Sequence, residues 1–403
     1  MSTTPQDGPA NSNVGHLGVP TAGGGGSEGR RGRGRGGRKG GKRRDEHQMV
    51  PDAEFTSYYG RPILKASPWE KDIPAYLFMG GLAAGSSLLA AGADLSGRPA
   101  LRRTGRVTSL LALTASMGAL VHDLGRPSRF YNMLRVAKPT SPMSVGTWIL
   151  TAYGPFAGLA AVAELRPLMP AVVRDGLPGR LLGLGARPAG LVAAVIAPAV
   201  ASYTAVLLTD TATPTWHDAH EHLPFVFVGS AAAASGGLGM IGSPLSESGP
   251  ARRLAVAGAV LELAVERRME QAMGLTAEPL HLGQAGRLMK ASKALTVAGA
   301  AGAALLGHRS RLAAALSGAA LLAGSVCTRF GVFEAGQASA RDPKYTVVPQ
   351  RERVARRGPT RTAPGTAPGT AVISGDAPAA PAAALGSTNG SISSSAPGTT
   401  PIA

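Results

Sequence analysis

Apolar residues are concentrated between about residue 65 and residue 336, in runs separated by short polar stretches. A helix needs about 20 mostly apolar residues to cross a bilayer. Eight runs are candidates for such helices, at roughly 73–94, 105–122, 145–163, 189–209, 223–241, 254–267, 294–306 and 312–333. Glu262 and Glu266 interrupt the sixth run, which makes it the weakest. We predict eight spans; the alternative is seven, with the sixth run lying along the membrane interface.

Both ends of the sequence are polar. Residues 1–57 are rich in Gly and Arg, and residues 337–403 are rich in Pro, Ala, Ser and Thr. Segments with so few large apolar side chains bury too little surface to offset the entropy lost on ordering. We predict an all-α integral membrane protein with a bundle of about eight transmembrane helices over residues 58–336, between two disordered tails.

Much of the formal net charge of +17 lies near the N-terminus, where nine Lys or Arg between Arg30 and Arg44 alternate mainly with glycine. Arg/Gly segments bind RNA in some proteins, whereas a basic arm on a membrane protein lies in solvent or against anionic lipid. Aromatic side chains that would stack on bases do not interleave with these arginines. We therefore favour the second interpretation and expect the lipid bilayer, not nucleic acid, as a partner.

The sequence has a single cysteine, Cys327. One cysteine excludes disulfides, cysteine-ligated iron–sulfur clusters and a CxxC redox pair within this protein. Any metal centre that serves redox chemistry must then belong to another subunit.

Eight spans place several polar helix ends on one side of the membrane. That side collects most titratable and aromatic residues near helix ends: Trp69, Glu70, Asp72, Tyr76, His122, Asp123, Arg126, Asp210, Trp216, His217, Asp218, His220, Glu221 and His222. Asp94 and Glu164 end helices on the far side, where we expect them at the surface. The loop after the fourth span has no Lys or Arg and predicts an outside location. The basic N-terminal arm on the same side predicts inside, so the orientation stays open.

Three stretches of this sequence resemble the NrfD/polysulfide-reductase-type membrane subunits. They are residues 73–85 (IPAYLFMGGLAAG), residues 123–127 (DLGRP) followed by Phe130 and residues 141–148 (SPMSVGTW), and residues 203–208 (YTAVLL) with Pro214 and Trp216 downstream. The resemblance covers about residues 58–336, and the later helices match only in general character.

The resemblance implies a multi-pass subunit in a bacterial plasma membrane, without haem or iron–sulfur cluster of its own. Such a subunit exchanges electrons and protons between menaquinone or another quinone and an iron–sulfur partner, which serves a molybdopterin or similar catalytic subunit. Residues 58–69 are expected to dock that partner or to act as an interfacial anchor. The alternative functions are a purely structural membrane anchor and a transporter, although residues 73–163 and 189–333 show no convincing repeat.

The same resemblance assigns quinone contacts to Tyr203, Tyr76 and Gly125. Tyr203 lies about 10 Å inside the face on which the fourth span ends, and a buried tyrosine hydroxyl needs a hydrogen-bond partner that a quinone oxygen can supply. A bond to a neighbouring helix is the alternative. Tyr76 also fits a packing or aromatic-belt role, and Gly125 fits a simple helix end.

Proton handling is assigned to two pairs of residues and one arginine. His122 and Asp123 titrate readily at a membrane edge, with Arg126 orienting Asp123; the alternative is a helix-end cap with a salt bridge. Glu262 and Glu266 share one helix face, where they are either proton-relay groups or solvated interfacial residues. The loop with His217, Asp218, His220, Glu221 and His222 is predicted to be a wet surface at a partner interface, and no metal site is expected.

Overall fold

The computed structural model describes residues 62–357. Residues 1–57, the expected docking residues 58–61 and the C-terminal tail beyond residue 357 lie outside this range. The described residues form twelve α-helices: α1 (Asp72–Leu95), α2 (Pro99–Asp123), α3 (Phe130–Leu134), α4 (Pro142–Glu164), α5 (Ala171–Asp175), α6 (Leu177–Thr209), α7 (Pro214–Asp218), α8 (Leu223–Gly242), α9 (Gly249–Met273), α10 (Gly283–Leu305), α11 (Arg311–Arg341) and α12 (Lys344–Arg357). Within residues 62–357 there is no β-strand.

Six of the long helices are long and apolar enough to cross a membrane: α1, α2, α4, α6, α8 and α11. The prediction of an all-helical, multi-pass membrane fold is therefore confirmed. Helices α9 and α10 also have membrane-spanning length, but neither belongs to this set of apolar helices. The count of eight spans stays a prediction.

The eight long helices form two groups of four. In the first, α1, α2, α4 and α6 contact one another in a ring, and in the second α8, α9, α10 and α11 do the same. Helix α1 also packs against α8 and α11, so it is buried between the two groups. Helices α1 and α2 are antiparallel, so the start of α1 lies beside the end of α2. The ion pair between Asp72 and His122 joins these two ends.

Small residues allow the helices of the second group to touch through their backbones. A Cβ atom on Gly229 of α8 would lie 2.7 Å from the backbone nitrogen of Glu262 on α9. A Cβ atom on Gly258 would collide with the backbone of α8 in the same way. Membrane helices associate through such close packing because lipid tails are as apolar as the side chains, so the hydrophobic effect does not drive one helix against another. This packing brings the α9 carboxyl groups into the interior.

Helix α11 runs to Arg341 and is followed by α12, so helical structure continues past the boundary predicted at residue 336. The ammonium group of Lys344 donates to Glu278 at 2.6 Å and attaches α12 to the turn after α9. This hydrogen bond lowers the pKa of the Glu278 carboxyl group. Burial raises the pKa of the Tyr345 hydroxyl to about 12.

Candidate functional site

A cavity of about 520 Å³ lies between the start of α4 and the end of α6. We call it the Tyr203 cavity; it is lined by Pro139, Thr140, Pro142, Val145, Tyr203, Val206, Thr209, Asp210, His217 and His220. Tyr203 lies six residues before the last residue of α6, about 9 Å inside the helix end. Its ring is buried, and within the described part of the protein its hydroxyl has no hydrogen-bond partner. A donor without a protein partner is therefore placed at the cavity wall.

Gly146 on α4 sets the position of the Tyr203 ring. A Cβ atom at this position would overlap the phenol of Tyr203, including its hydroxyl oxygen. Only a glycine allows α4 and α6 to approach closely enough here. The motif of residues 141–148 contains this glycine, but the motif alone gives it no role because its neighbour is 57 positions away in the sequence.

We expect Gly146→Val to displace the Tyr203 ring and reduce the volume of the Tyr203 cavity. Overpacking of this kind typically costs about 1–3 kcal/mol, so the variant should fold and yet lose binding of any ligand held by Tyr203. Binding of a quinone analogue to the purified protein measures this. Gly158→Ala on the same helix is the matched control, because a Cβ atom there meets no atom within 4 Å. Equal binding by both variants would contradict the role of Gly146.

Tyr76 on α1 is buried and does not line the Tyr203 cavity. It lies close enough to Tyr203 for the two phenols to interact electrostatically. It also lies one helical turn inside Asp72, whose carboxylate is 2.7 Å from Nδ1 of His122. Tyr76 is therefore near both Tyr203 and the first turn of α1, which carries Asp72.

The polar cluster at the end of α2 contains the residues expected to handle protons. Asp123 is half-buried beside the backbone of Glu70. Arg126 is exposed, and no ion pair joins it to Asp123 within residues 62–357. Gly125 has a φ of +67°, so it ends α2 in the left-handed conformation. Neither Asp123 nor Gly125 lines the Tyr203 cavity, which separates this cluster from it.

The loop after α6 brings exposed titratable residues to the wall of the Tyr203 cavity, and the prediction that this loop meets a partner stays a prediction. Asp210, His217 and His220 all line the cavity, and the two imidazole rings stack with their centroids 5.8 Å apart. Asp210 and His217 also line a second cavity of about 460 Å³ beneath α12, which we call the Tyr345 cavity. These two residues thus form a wall shared by both cavities. In the sequence, the i, i+3 spacing of His217 and His220 was the feature that could have indicated that their imidazole rings lie together.

Glu262 and Glu266 lie inside the second group of helices, and each is only 1 % exposed. Glu262 accepts a hydrogen bond of 2.7 Å from the hydroxyl of Thr328, while its second oxygen has no partner in the described structure. The ammonium group of Lys293 lies 3.5 Å from Glu266 and 2.8 Å from Glu270. The structure therefore buries both carboxyl groups instead of leaving them solvated at the interface.

Arg329 on α11 is fully buried at 0 % exposure and interacts electrostatically with Glu262. It donates to the carbonyl oxygen of Phe227 at 2.8 Å and lies 3.8 Å above the ring of the same residue. Its Nε and Nη1 atoms have no partner among the described residues. A buried arginine beside a buried glutamate is costly to maintain and marks a functional candidate.

The far end of the first helix group holds a cluster of ion pairs. The carboxylates of Asp94 and Glu164 bridge the guanidinium groups of Arg102 and Arg106, with the Arg106–Glu164 contact at 2.9 Å. Both carboxylates are only 9 % exposed. The expectation that they are surface residues is wrong for their side chains, which are mostly covered and form ion pairs with the two arginines of α2.

The described residues form a helical bundle with six helices apolar enough to cross a membrane and a cavity between α4 and α6. The model of the family described as "Polysulphide reductase, NrfD" matches residues 64–249. The C subunit of the polysulfide reductase of Wolinella succinogenes is 29% identical over 153 residues, which are 35% of this protein and 47% of that subunit. The sequence thus matches about half the length of this relative. The resemblance to the NrfD family, inferred above from sequence motifs, is confirmed over the matched residues.

Proposed function

We propose that this protein is the quinone-reactive membrane subunit of a multi-subunit oxidoreductase in a bacterial plasma membrane. It exchanges electrons and protons between menaquinone or another quinone and an iron–sulfur partner, which serves a catalytic subunit of the molybdopterin or a similar type. The observation that carries the proposal is the unpaired hydroxyl of Tyr203, within the described residues, at the wall of a cavity between α4 and α6.

The Tyr203 cavity supplies what a quinone head group requires. The Tyr203 hydroxyl would donate a hydrogen bond to a carbonyl oxygen of a bound quinone, whose reduction to the quinol would take up two electrons and two protons. The quinone supplies the redox chemistry when it is bound. Asp210, His217 and His220 line the cavity, and carboxylate and imidazole side chains are common proton donors and acceptors in such sites.

A second set of titratable groups lies at the end of α2, outside the lining of the Tyr203 cavity. His122 and Asp72 form a hydrogen-bonded pair at 2.7 Å, and Asp123 lies next to His122 in the sequence. Tyr76, one helical turn after Asp72 on α1, interacts electrostatically with Tyr203. We propose that His122 and Asp123 exchange protons with water at this surface, with Arg126 and Gly125 shaping the loop that exposes them.

The buried carboxyl groups of α9 fit a separate proton-holding role. Glu266 is linked through Lys293 to Glu270, and Glu270 lies 3.8 Å from the exposed His281. This series of titratable groups leads from the surface toward Glu262. Carboxyl groups kept away from water in this way are typical of groups that gain and lose protons.

The continuity of the helices favours this proposal over a transporter. Transporters commonly bind their substrate where helices are broken near the middle of the membrane. Helix α6 keeps its helical path through Pro188 and Pro198, and α4 does so through Pro155. Within the described residues, none of the six apolar helices is interrupted.

The test compares quinone-analogue binding and quinone turnover between the wild type and two variants. Tyr203→Phe removes one hydrogen bond and is expected to weaken binding about tenfold. Asp123→Asn is expected to leave binding intact and to slow turnover in the assembled complex, because the amide cannot exchange a proton. Fluorescence quenching of a hydroxyquinoline N-oxide analogue measures binding.

Tyr131→Phe is the matched control, because Tyr131 is exposed and lies outside the cavity. It should bind the analogue as the wild type does. Unchanged binding and turnover in both test variants would remove the assignment of Tyr203 and Asp123. A wild-type protein that binds no analogue would instead identify a purely structural anchor.

A further inference from the structure

A second, almost entirely apolar cavity continues from the Tyr203 cavity along the outer side of the first helix group. This cavity, the Trp148 groove, has a volume of about 450 Å³ and is lined by Ala137, Lys138, Pro139, Ser144, Val145, Trp148, Ile149, Ala152 and Ile196. Pro139 and Val145 line both the Trp148 groove and the Tyr203 cavity. The two spaces are therefore neighbours that share a wall between α4 and α6.

The Trp148 groove extends deeper into the membrane than the Tyr203 cavity. Its residues on α4 end at Ala152, ten positions after the start of the helix at Pro142, which is about 15 Å inside. Ile196 on α6 lies about 20 Å from the helix end at Thr209. Tyr203 lies only about 9 Å from the same end. The groove thus leads from the Tyr203 cavity toward the middle of the bilayer.

The upper end of the groove is fixed by hydrogen bonds to the loop before α4. The hydroxyl of Ser144 donates to the carbonyl oxygen of Val136 at 2.8 Å and accepts from the backbone N–H of Lys138 at 2.9 Å. The indole N–H of Trp148 donates to the same carbonyl at 3.3 Å. These bonds hold the loop and the Trp148 ring in place, so the groove is a preformed feature of the protein.

We propose that the Trp148 groove binds the isoprenoid tail of the quinone whose head group occupies the Tyr203 cavity. This inference rests on the proposed function. A membrane quinone joins a polar head to a long apolar tail. The Tyr203 cavity has polar lining residues near the membrane surface, and the mostly apolar Trp148 groove leads from it toward the middle of the bilayer. The acyl tail of a membrane lipid would need no connection to a cavity lined by Tyr203, Asp210 and His217. The quinone therefore enters from the lipid, between α4 and α6.

The test blocks the groove without touching the head-group cavity. Ile196→Trp places a large ring in the groove, whereas Val195→Trp on the same helix places it toward lipid, because Val195 is 80% exposed and lines neither space. The purified protein is titrated with menadione, which has no tail, and with a menaquinone that has a short isoprenoid tail. Ile196→Trp is expected to weaken binding of the tailed quinone by about tenfold or more, and binding of menadione by no more than about twofold.

Ala152→Leu fills the same groove from an exposed position on α4 and provides a second test if Ile196→Trp folds poorly. The tail site is supported if either folded groove variant loses affinity for the tailed menaquinone but not for menadione, and Val195→Trp binds both as the wild type does. Equal affinities of wild type and groove variants for the tailed quinone overturn it while leaving the proposed function intact. An equal loss for both quinones in both groove variants also overturns it. Absence of binding of either quinone to the wild type overturns the proposed function itself.

Discussion

Replacing Arg329 by methionine is expected to lower the free energy of unfolding by about 3–5 kcal/mol. The substitution removes the cation that interacts electrostatically with the buried carboxyl group of Glu262, and it removes the side-chain hydrogen bond to the carbonyl oxygen of Phe227. Removing one partner of a buried pair is costly because the remaining charge has neither water nor counter-charge. Unfolding in mixed detergent micelles, followed by tryptophan fluorescence, measures the change.

A second substitution tests the cause of this loss. Glu262→Gln in the Arg329→Met background removes the uncompensated charge, so it should restore a large part of the stability. Arg341→Met is the matched control, because Arg341 is an exposed arginine at the end of the same helix. A double variant that is as unstable as Arg329→Met would show that the electrostatic relation between Glu262 and Arg329 is not what stabilises α9 against α11.

Trp216→Ala is expected to destabilise the protein by about 3–5 kcal/mol and to abolish ligand binding at the Tyr203 cavity. The indole of Trp216 is fully buried, lies between the rings of Trp69 and Phe333, and donates to the carbonyl oxygen of Val332 at 2.8 Å. It anchors α7, and the residue that follows it in this helix, His217, lines the cavity. Loss of the anchor therefore removes part of the cavity wall. Thermal unfolding and analogue binding measure the two effects.

Trp216→Phe separates the packing of the ring from its hydrogen bond. The phenyl ring keeps most contacts and loses only the bond to Val332, so we expect a loss of about 1 kcal/mol with binding retained. Gly336→Ala gives an independent check, since a Cβ atom there would overlap the indole. If Trp216→Ala unfolds at the same temperature as the wild type and still binds the analogue, then α7 is held by other contacts.

The hydrophobic pattern located the helices well where both ends are marked by the local sequence. The first run, predicted at 73–94, is the helix Asp72–Leu95, and the fifth, predicted at 223–241, is Leu223–Gly242. The pattern failed where polar residues continue a helix. Helix α6 begins at Leu177 instead of 189, and α10 begins at Gly283 instead of 294. In α10 the charged Lys293 is compatible with a helix because Glu266 and Glu270 of α9 face it.

The candidate site was predictable only in part, for a similar reason. Tyr203 was identified from its motif, and the structure places it at a cavity wall. Gly146 and His217 were not assigned to that site, because each meets it through contacts between distant segments. The cluster of His122 and Asp123, which the sequence assigned to proton handling, does not line the Tyr203 cavity.

The sequence by itself determined that this protein is helical, apolar enough to cross a membrane several times and similar to the NrfD family, because these properties depend on residues near one another in the sequence. Tertiary structure alone decided which helices pack together, that Gly146 leaves room for the Tyr203 ring, and that Arg329 and Glu262 are buried close enough to interact electrostatically. Those relations depend on side-chain volume and charge meeting across helices, and the spacing of residues along the sequence carries no record of that geometry.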